Sequence, residues 1–392
     1  MTASGGKKEM LVVFGGRSGE HEVSLRSAVS ILKAASRARY NITPVGIDRD
    51  GMWYALEAFE AAKLPVGELP AAVFAGGYPA ALVPMAGGAV LVALSATRKR
   101  TGAYTLTENE GVINCGDLGV PRELCRPHVA FPVLHGTYGE DGTIQGLFEM
   151  CGVPYVGAGV LGSSVGMDKE VSKRVLRDAG LEIVPFTVWH RDEPKKKAIK
   201  AFERELGYPV FVKPANMGSS VGISRASNRR EMDAAMDLAA AYDRKVLVEK
   251  AVDAREIECA VLGNRPAKAS VPGEILSAKE WYDYEAKYKA ASRTLVPAKL
   301  PAKVASKVME SAVRAFEAIG CEGMARVDFF LERGTGRLYI NELNTIPGFT
   351  SISMYAMMWK ACGVTYPRLI DQLVGLALGR HADKQRNRVT QE

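Results

Sequence analysis

The sequence predicts an α/β protein of two or three domains. Apolar, strand-like runs alternate along the chain with segments whose apolar residues recur at helical spacing, the pattern of that class. Its 392 residues are more than one compact core holds. A content of 47% hydrophobic and 24% charged residues is that of an ordinary globular chain. The net charge of +7 is modest and, apart from Lys195, Lys196 and Lys197, not clustered. Such a surface suits a small anionic ligand better than a nucleic-acid groove, so no nucleic-acid partner is expected. No stretch approaches the roughly 18 apolar residues of a membrane span, and the apolar run at 10–14 is too short for a signal-peptide core. The six cysteines lack metal-ligand spacing, so a reduced cytoplasmic protein without membrane association is expected.

In order, residues 10–14 read as a short buried strand, 23–38 as a helix with Leu25, Val29 and Leu32 at helical spacing, and 40–48 as a second strand. Residues 57–127 are the least readable, alanine-rich with scattered Gly and Pro, and include an expected hairpin over 89–112. Residues 129–134 form an apolar strand running into HGTYGEDG and a short helix over 143–151. The glycine-rich GAGVLGSSVG at 157–166 reads as a linker, and 168–179 as a helix stopped by Gly180. Strands at 183–188 and 210–213 enclose a helix over 196–206; the loop ANMGSSVG, a helix over 229–242 and a strand at 245–249 follow. The last third holds an alternating strand at 256–262, a loop, a helix opening on Pro301 and ending at Ile319, and strands at 324–332 and 337–344 joined by RGTGR. Residues 382–392 are polar and read as a disordered tail.

The late pair of strands is where chemistry can be argued from spacing alone. With the turn centred on Thr335, Asp328 stands opposite Glu342 and Arg326 opposite Asn344, and because strand side chains alternate, all four share one face. Opposed carboxylates about 5 Å apart repel, and a cation between them would reverse the sign. Two carboxylates and an amide oxygen make a hard site of the kind Mg²⁺ occupies when phosphate oxygens complete its shell. The same row could equally be a solvated sheet face neutralised by Arg326.

There is no GxxxxGK[ST], which excludes a P-loop, and GGRSGE after the first strand lacks dinucleotide spacing. The loop Gly218-Ser219-Ser220-Val221-Gly222 lies between two strands just after Lys213. Its N–H groups and hydroxyls could cover a triphosphate while the lysine supplies charge, or it could be an ordinary glycine hairpin. A phosphate-facing Lys213 would gain nothing from folding in an empty site. The stretch WYDYEAKYK at 281–289 has four rings in nine positions and neither helix nor strand period. It is either a surface loop with a ring tucked in or a segment whose rings have a functional use.

Together these segments resemble the ATP-grasp superfamily and, within it, the D-alanine-D-alanine ligases. The likeness runs in order through GGRSGEHEVSL at 15–25, LHGTYGEDGTIQG at 134–146, MDK at 167–169 and VKPANMGSSVG at 212–222. It continues through EKAVDAREIE at 249–258, YDYEAKY at 282–288, ARVDF at 325–329 and NELNTIPGFTSIS at 341–353. The resemblance implies a three-domain ATP-grasp architecture: an N-terminal doubly wound parallel-sheet lobe for substrate at 1–157, and α+β lobes at 158–252 and 253–392 sandwiching ATP. A lid loop is implied at 277–293. The implied reaction joins two D-alanines through D-alanyl phosphate for peptidoglycan precursors, in a cytoplasmic homodimer.

By position, the resemblance puts Lys169, Lys213, Ser219 and Ser220 on the ATP phosphates, Glu249 at the adenine edge and Glu256 at the ribose. Asp328, Glu342 and Asn344 would hold two Mg²⁺ or Mn²⁺ ions. Glu20, helped by His135, would take the ammonium of the first D-alanine. Arg326 and the backbone N–H of Gly348 would stabilise the tetrahedral intermediate, Ser353 and Lys287 would hold the second carboxylate, and Lys287 would also reach ATP. Ser219 and Tyr288 would link to Glu20, and WYDYEAKYK would be the lid that keeps water from the acyl phosphate. A tyrosine at 288 goes with D-alanine as acceptor. The remaining readings are a ligase joining D-alanine to D-lactate or D-serine, and a non-catalytic nucleotide-binding protein of the same fold. The intact set of Lys213, Arg326, Asp328, Glu342 and Asn344 argues against the last. Ala356 stands where the family often has proline, and 57–127 lies beyond the motifs.

Overall fold

A computed structural model describes residues 6–56, 77–94, 121–276 and 293–388. The expected lid, with Lys287 and Tyr288, lies outside the described residues except for Arg293.

The N-terminal lobe runs β1 (Lys8–Gly15), α1 (His21–Ala34), β2 (Tyr40–Ile47), β3 (Trp53–Ala55), β4 (Tyr78–Met85), β5 (Gly88–Ala93), β6 (Arg122–Cys125), β7 (Val129–Pro132) and α2 (Thr143–Met150). Its strands lie in the order β6-β5-β4-β3-β2-β1-β7. β1 pairs in parallel with β2 and β7 at one end of the sheet, and Met10 to Phe14 of β1 are apolar and buried on both faces. From β3 outward the sheet continues antiparallel.

Three sequence expectations change here. α1 ends at Ala34, four residues early, because Ala35 is already extended and Ser36 turns the chain by accepting from the N–H groups of Arg39 and Tyr40. The expected hairpin at 89–112 is instead β4–β5, with β5 as its second strand and Gly87 and Gly88 at positive φ in the turn; residues 95–120 lie outside the described residues. The expected tail is helical as far as Lys384.

The middle of the chain holds α3 (Val160–Met167), α4 (Lys169–Asp178), β8 (Phe186–His190), α5 (Lys195–Glu205), β9 (Val210–Pro214), β10 (Ser224–Ala226), α6 (Arg229–Tyr242) and β11 (Lys245–Lys250). Strands β10-β9-β11-β8 form an antiparallel sheet with its own core of Trp189, Phe202, Val212, Met236 and Val248. The expected linker at 157–166 is largely helix α3. Its glycines serve close packing: a Cβ on Gly162 would sit 2.9 Å from the Cα of Cys321, and one on Gly166 2.9 Å from the Thr345 methyl. α3 and α4 pack towards the following sheet, with Ala158, Leu176 and Leu181 in the same apolar cluster as Val327 and Phe329.

The last part comprises β12 (Ala254–Gly263), β13 (Lys268–Ala269), β14 (Gly273–Leu276), β15 (Arg293–Leu295), α7 (Ala302–Ala318), β16 (Gly323–Glu332), β17 (Leu338–Asn344), α8 (Met354–Ala361) and α9 (Tyr366–Lys384). The sheet order is β15-β14-β12-β16-β17. Its period of two separates the faces. Ile257, Cys259, Val261, Ala325, Val327 and Phe329 bury against Val308, Ala312 and Phe316 of α7. On the other face Ala260 and Met324 join the core that Phe14, Leu25 and Phe131 share with Phe349, Tyr355 and Leu369. The charged residues further along that face are left to line a cleft.

Candidate active site

A cleft of about 1180 Å³ opens between the β8–β11 sheet and the charged end of the β12–β16–β17 face, lined by Lys169, Lys213, Ser219, Glu256, Arg326 and Glu342 among others. On that face the register sets Glu258 opposite Asp328 and Asp328 opposite Glu342, three carboxylates in a row across three strands. The pairing of Asp328 with Glu342 and Arg326 with Asn344 is as the spacing predicted, but it depends on a bulge. Beyond it Phe329 pairs with Ile340, leaving Asn341 as the extra residue beside Glu342.

The repulsion in this row is relieved by Arg326, which donates through Nε and Nη2 to the two oxygens of Asp328, both at 2.7 Å, and lies 3.2 Å from Glu258. Burial disfavours the Arg326 charge, yet Asp328 and Glu258 outweigh it and push the guanidinium well above its usual range. Asn344 donates its Nδ2 to Asp328 at 2.9 Å, leaving its oxygen as the acceptor. Glu342 lies 3.6 Å from Lys169, whose ammonium also donates to the Met217 carbonyl at 2.8 Å. Lys169 is held because α4 starts there, capped by Asp168, with the Lys169 N–H tied to the Ala215 carbonyl.

Lys213, on β9, is not an isolated phosphate lysine. It makes a buried ion pair with Glu249 of β11 at 2.5 Å, which corrects the expectation that it gains nothing from folding. The other oxygen of Glu249 lies 2.5 Å from Lys173, a buried lysine of α4. Burial alone would raise the Glu249 carboxyl; the two ammonium groups reverse this and hold it down at about 2. Burial pulls the Lys173 ammonium down, against the pull of Glu249.

The glycine loop carries the cleft to the N-terminal lobe. Ser219 and Ser220 both adopt left-handed backbone, at φ of 51° and 59°, a costly conformation for residues with a Cβ and one that clusters at functional sites. The Ser219 hydroxyl donates to Glu20. Gly218 and Gly136 flank that carboxylate so closely that a Cβ on either would come within 2.6 and 2.9 Å of Glu20 Oε2. His135 is buried, with Nε2 2.9 Å from the Ser27 hydroxyl and Nδ1 2.7 Å from the Ile346 carbonyl, bracing α1 to the loop after β17. In that loop Ser353 Oγ accepts from the Thr350 N–H at 3.0 Å and lies 3.5 Å from where a Cβ on Gly348 would stand.

Ser219, Lys169, Glu342, Lys213 and Glu249 are thus brought together, with Glu20 on the Ser219 side, whereas Lys287 and Tyr288 lie outside the described residues. Sequence reasoning missed Glu140, Lys173, Glu258 and Asn341. Only Glu258 had a readable signal, since it alternates with Glu256 on one strand face.

A family model described as D-ala D-ala ligase N-terminus matches residues 9–158, and one described as D-ala D-ala ligase C-terminus matches residues 175–375. A D-alanine-D-alanine ligase of Heliobacterium modesticaldum is 48% identical over 385 residues, covering 97% of both chains. One of Acetivibrio thermocellus is 43% identical over 390 residues, covering 97% of this chain and 98% of that one. Among solved structures, the D-alanine-D-alanine ligase from Coxiella burnetii superposes with a TM-score of 0.77 at 33% identity, covering 97% of this chain and 96% of that chain. The VanG D-Ala:D-Ser ligase from Enterococcus faecalis gives a TM-score of 0.78 at 33% identity, covering 95% and 100%.

Proposed function

This chain belongs to the D-alanine-D-alanine ligase family, and we propose that it joins two D-alanines while converting ATP to ADP and phosphate, supplying peptidoglycan precursors in the cytoplasm. The observation that carries the reading is the glycine loop. One short segment holds Lys169 through Met217 and Glu20 through Ser219, so that a phosphate-binding lysine and a carboxylate suited to an ammonium group meet across it.

In this reading ATP lies in the cleft with its base and ribose towards Glu249 and Glu256 and its phosphates towards Lys169, Lys213, Ser219 and Ser220. Glu20 anchors the ammonium of the first D-alanine and turns its carboxylate to the γ-phosphate. A carboxylate oxygen attacks phosphorus and ADP leaves, giving an acyl phosphate; the amine of the second D-alanine then attacks the acyl carbon. Arg326 and the Gly348 N–H meet the negative charge that gathers on the acyl oxygen. Phosphate departs with the former carboxylate oxygen. Ser353 and Lys287 hold the second carboxylate, and Tyr288 with its neighbours covers the site.

Asp328, Glu342 and Asn344 would hold two Mg²⁺ or Mn²⁺ ions. Their oxygens fit a hard cation. The register sets Asn344 two residues along the same strand face from Glu342, so its amide oxygen would add to the two carboxylates. Bound there, the ions neutralise charge spread over the phosphate oxygens.

The test is product analysis with ATP and D-alanine alone, then with D-serine or D-lactate added. The expected main product throughout is D-alanyl-D-alanine, with ADP release that depends on D-alanine. A mixed dipeptide or a depsipeptide as main product would reassign the acceptor, and ADP release indifferent to D-alanine would reject the ligase. A homodimer formed through the N-terminal lobe also fits. Leu147 and Met150 of α2 and Val160 and Leu161 of the adjoining α3 are exposed apolar side chains on neighbouring helices. Sedimentation should give a dimer, broken by Leu161→Glu with Met150→Glu; a wild-type monomer would remove the idea.

A further inference from the structure

Glu249 is gripped from two sides by lysines that differ in what else they touch. Lys213 borders the cleft and also comes within 3.5 Å of Asn341 Oδ1. Lys173 sits beneath it, 1% exposed and outside the cleft lining, and donates to the Asn341 carbonyl at 3.1 Å. Lys173 lies one turn along α4 from Lys169, so the same helix delivers one lysine to the cleft and one behind it. A buried carboxylate stripped of its only cation is strongly disfavoured. With Lys213 as the sole partner of Glu249, moving that ammonium to a triphosphate would leave such a carboxylate behind.

We propose that Lys173 is a positioning residue for nucleotide binding: it keeps Glu249 neutralised from behind, so that Lys213 is released from Glu249 to meet the phosphates of ATP. The inference rests on the ligase reading of the cleft. Lys173 itself touches no substrate. Its effect runs through the fraction of molecules in which Lys213 is available, and apparent affinity falls in proportion to that fraction. The two ammonium groups hold the Glu249 carboxyl low, which favours its charged form beside Lys213.

The experiment is a double-mutant cycle on the full chain, with Kd for ATP measured by calorimetry in excess Mg²⁺, alongside thermal melting and the KM for D-alanine. Lys173→Met is expected to weaken ATP by at least about tenfold, the penalty if Lys213 is free only about a tenth of the time. The KM for D-alanine should stay within about twofold. In the background of Glu249→Gln, whose amide no longer holds Lys213, adding Lys173→Met should change Kd less than about threefold. Where Lys173→Met does not fold, Lys173→Gln carries the same comparison. Unchanged ATP affinity in the single variant, or an equal loss in both backgrounds, overturns the proposal. Wild-type protein that does not bind ATP overturns the reading beneath it instead.

Discussion

Glu140 joins two loops by itself: one oxygen accepts from the Gly136 N–H and the other from the Ile346 N–H, each at 2.8 Å. Burial and then the charge of Glu20 push its carboxyl up to about 8, although the two N–H groups oppose the shift. Between the ordinary carboxylate range and about 8 the folded protein therefore binds more protons than the unfolded chain. The contribution of Glu140 to stability is full at acid pH and is lost as pH rises towards 8. Glu249, held at about 2, works the other way: its contribution is present above the ordinary carboxylate pKa and is lost as pH falls towards 2. Thermal melts of the ligand-free protein should thus decline between about pH 5 and 8, and Glu140→Gln should flatten that decline while leaving the acid limb unchanged. An unaltered slope in the variant would show that Glu140 is ionised throughout. No sequence pattern announced this residue. Its partners are backbone groups of two separate loops, one of them far along the chain, and only folding brings those loops together. Lys173 was equally silent, since Glu249 and the Asn341 carbonyl reach it from two different sheets.

At the scale of the element, the β16–β17 hairpin was the most legible part of the site, because strand alternation and a turn centre suffice to place Arg326, Asp328, Glu342 and Asn344 on one face. The bulge that secures that register was not legible, since the turn itself is offset and Asn341 takes up the extra residue. Helix α3 reads as a linker because of its glycines, but Gly162 is there for contact with the turn at Gly320 and Cys321 and Gly166 for contact with Thr345. Of the antiparallel strands, β3 and β6 escaped because they are short, and β4 because its alanines and prolines give a weak period. The hairpin prediction is that Glu342→Gln folds normally but loses ATP turnover by at least about a hundredfold, the scale of removing one major charge-stabilising group. Its Mg²⁺ requirement should shift to higher concentration in a metal titration. Normal turnover at ordinary Mg²⁺ would make the carboxylate row structural.

Across the whole molecule, the N-terminal lobe and the last lobe share one apolar core, and Arg380 of α9 fastens them by donating to the Tyr155 and Gly157 carbonyls while stacking over the Tyr155 ring. The β8–β11 lobe keeps a separate core and faces the others across the cleft. Such a layout sets Glu20 and Gly348, proposed for the first substrate, on the lobes that share a core, and the proposed nucleotide wall on a body with its own, which suits the two successive reactions proposed at one carboxylate. The central claim is that this carboxylate is activated as an acyl phosphate before the amine arrives, and it can be tested by following oxygen. With D-alanine labelled by ¹⁸O in its carboxylate, the phosphate released from ATP should carry one labelled oxygen for each D-alanyl-D-alanine formed. Dipeptide accompanied by unlabelled phosphate would contradict the account.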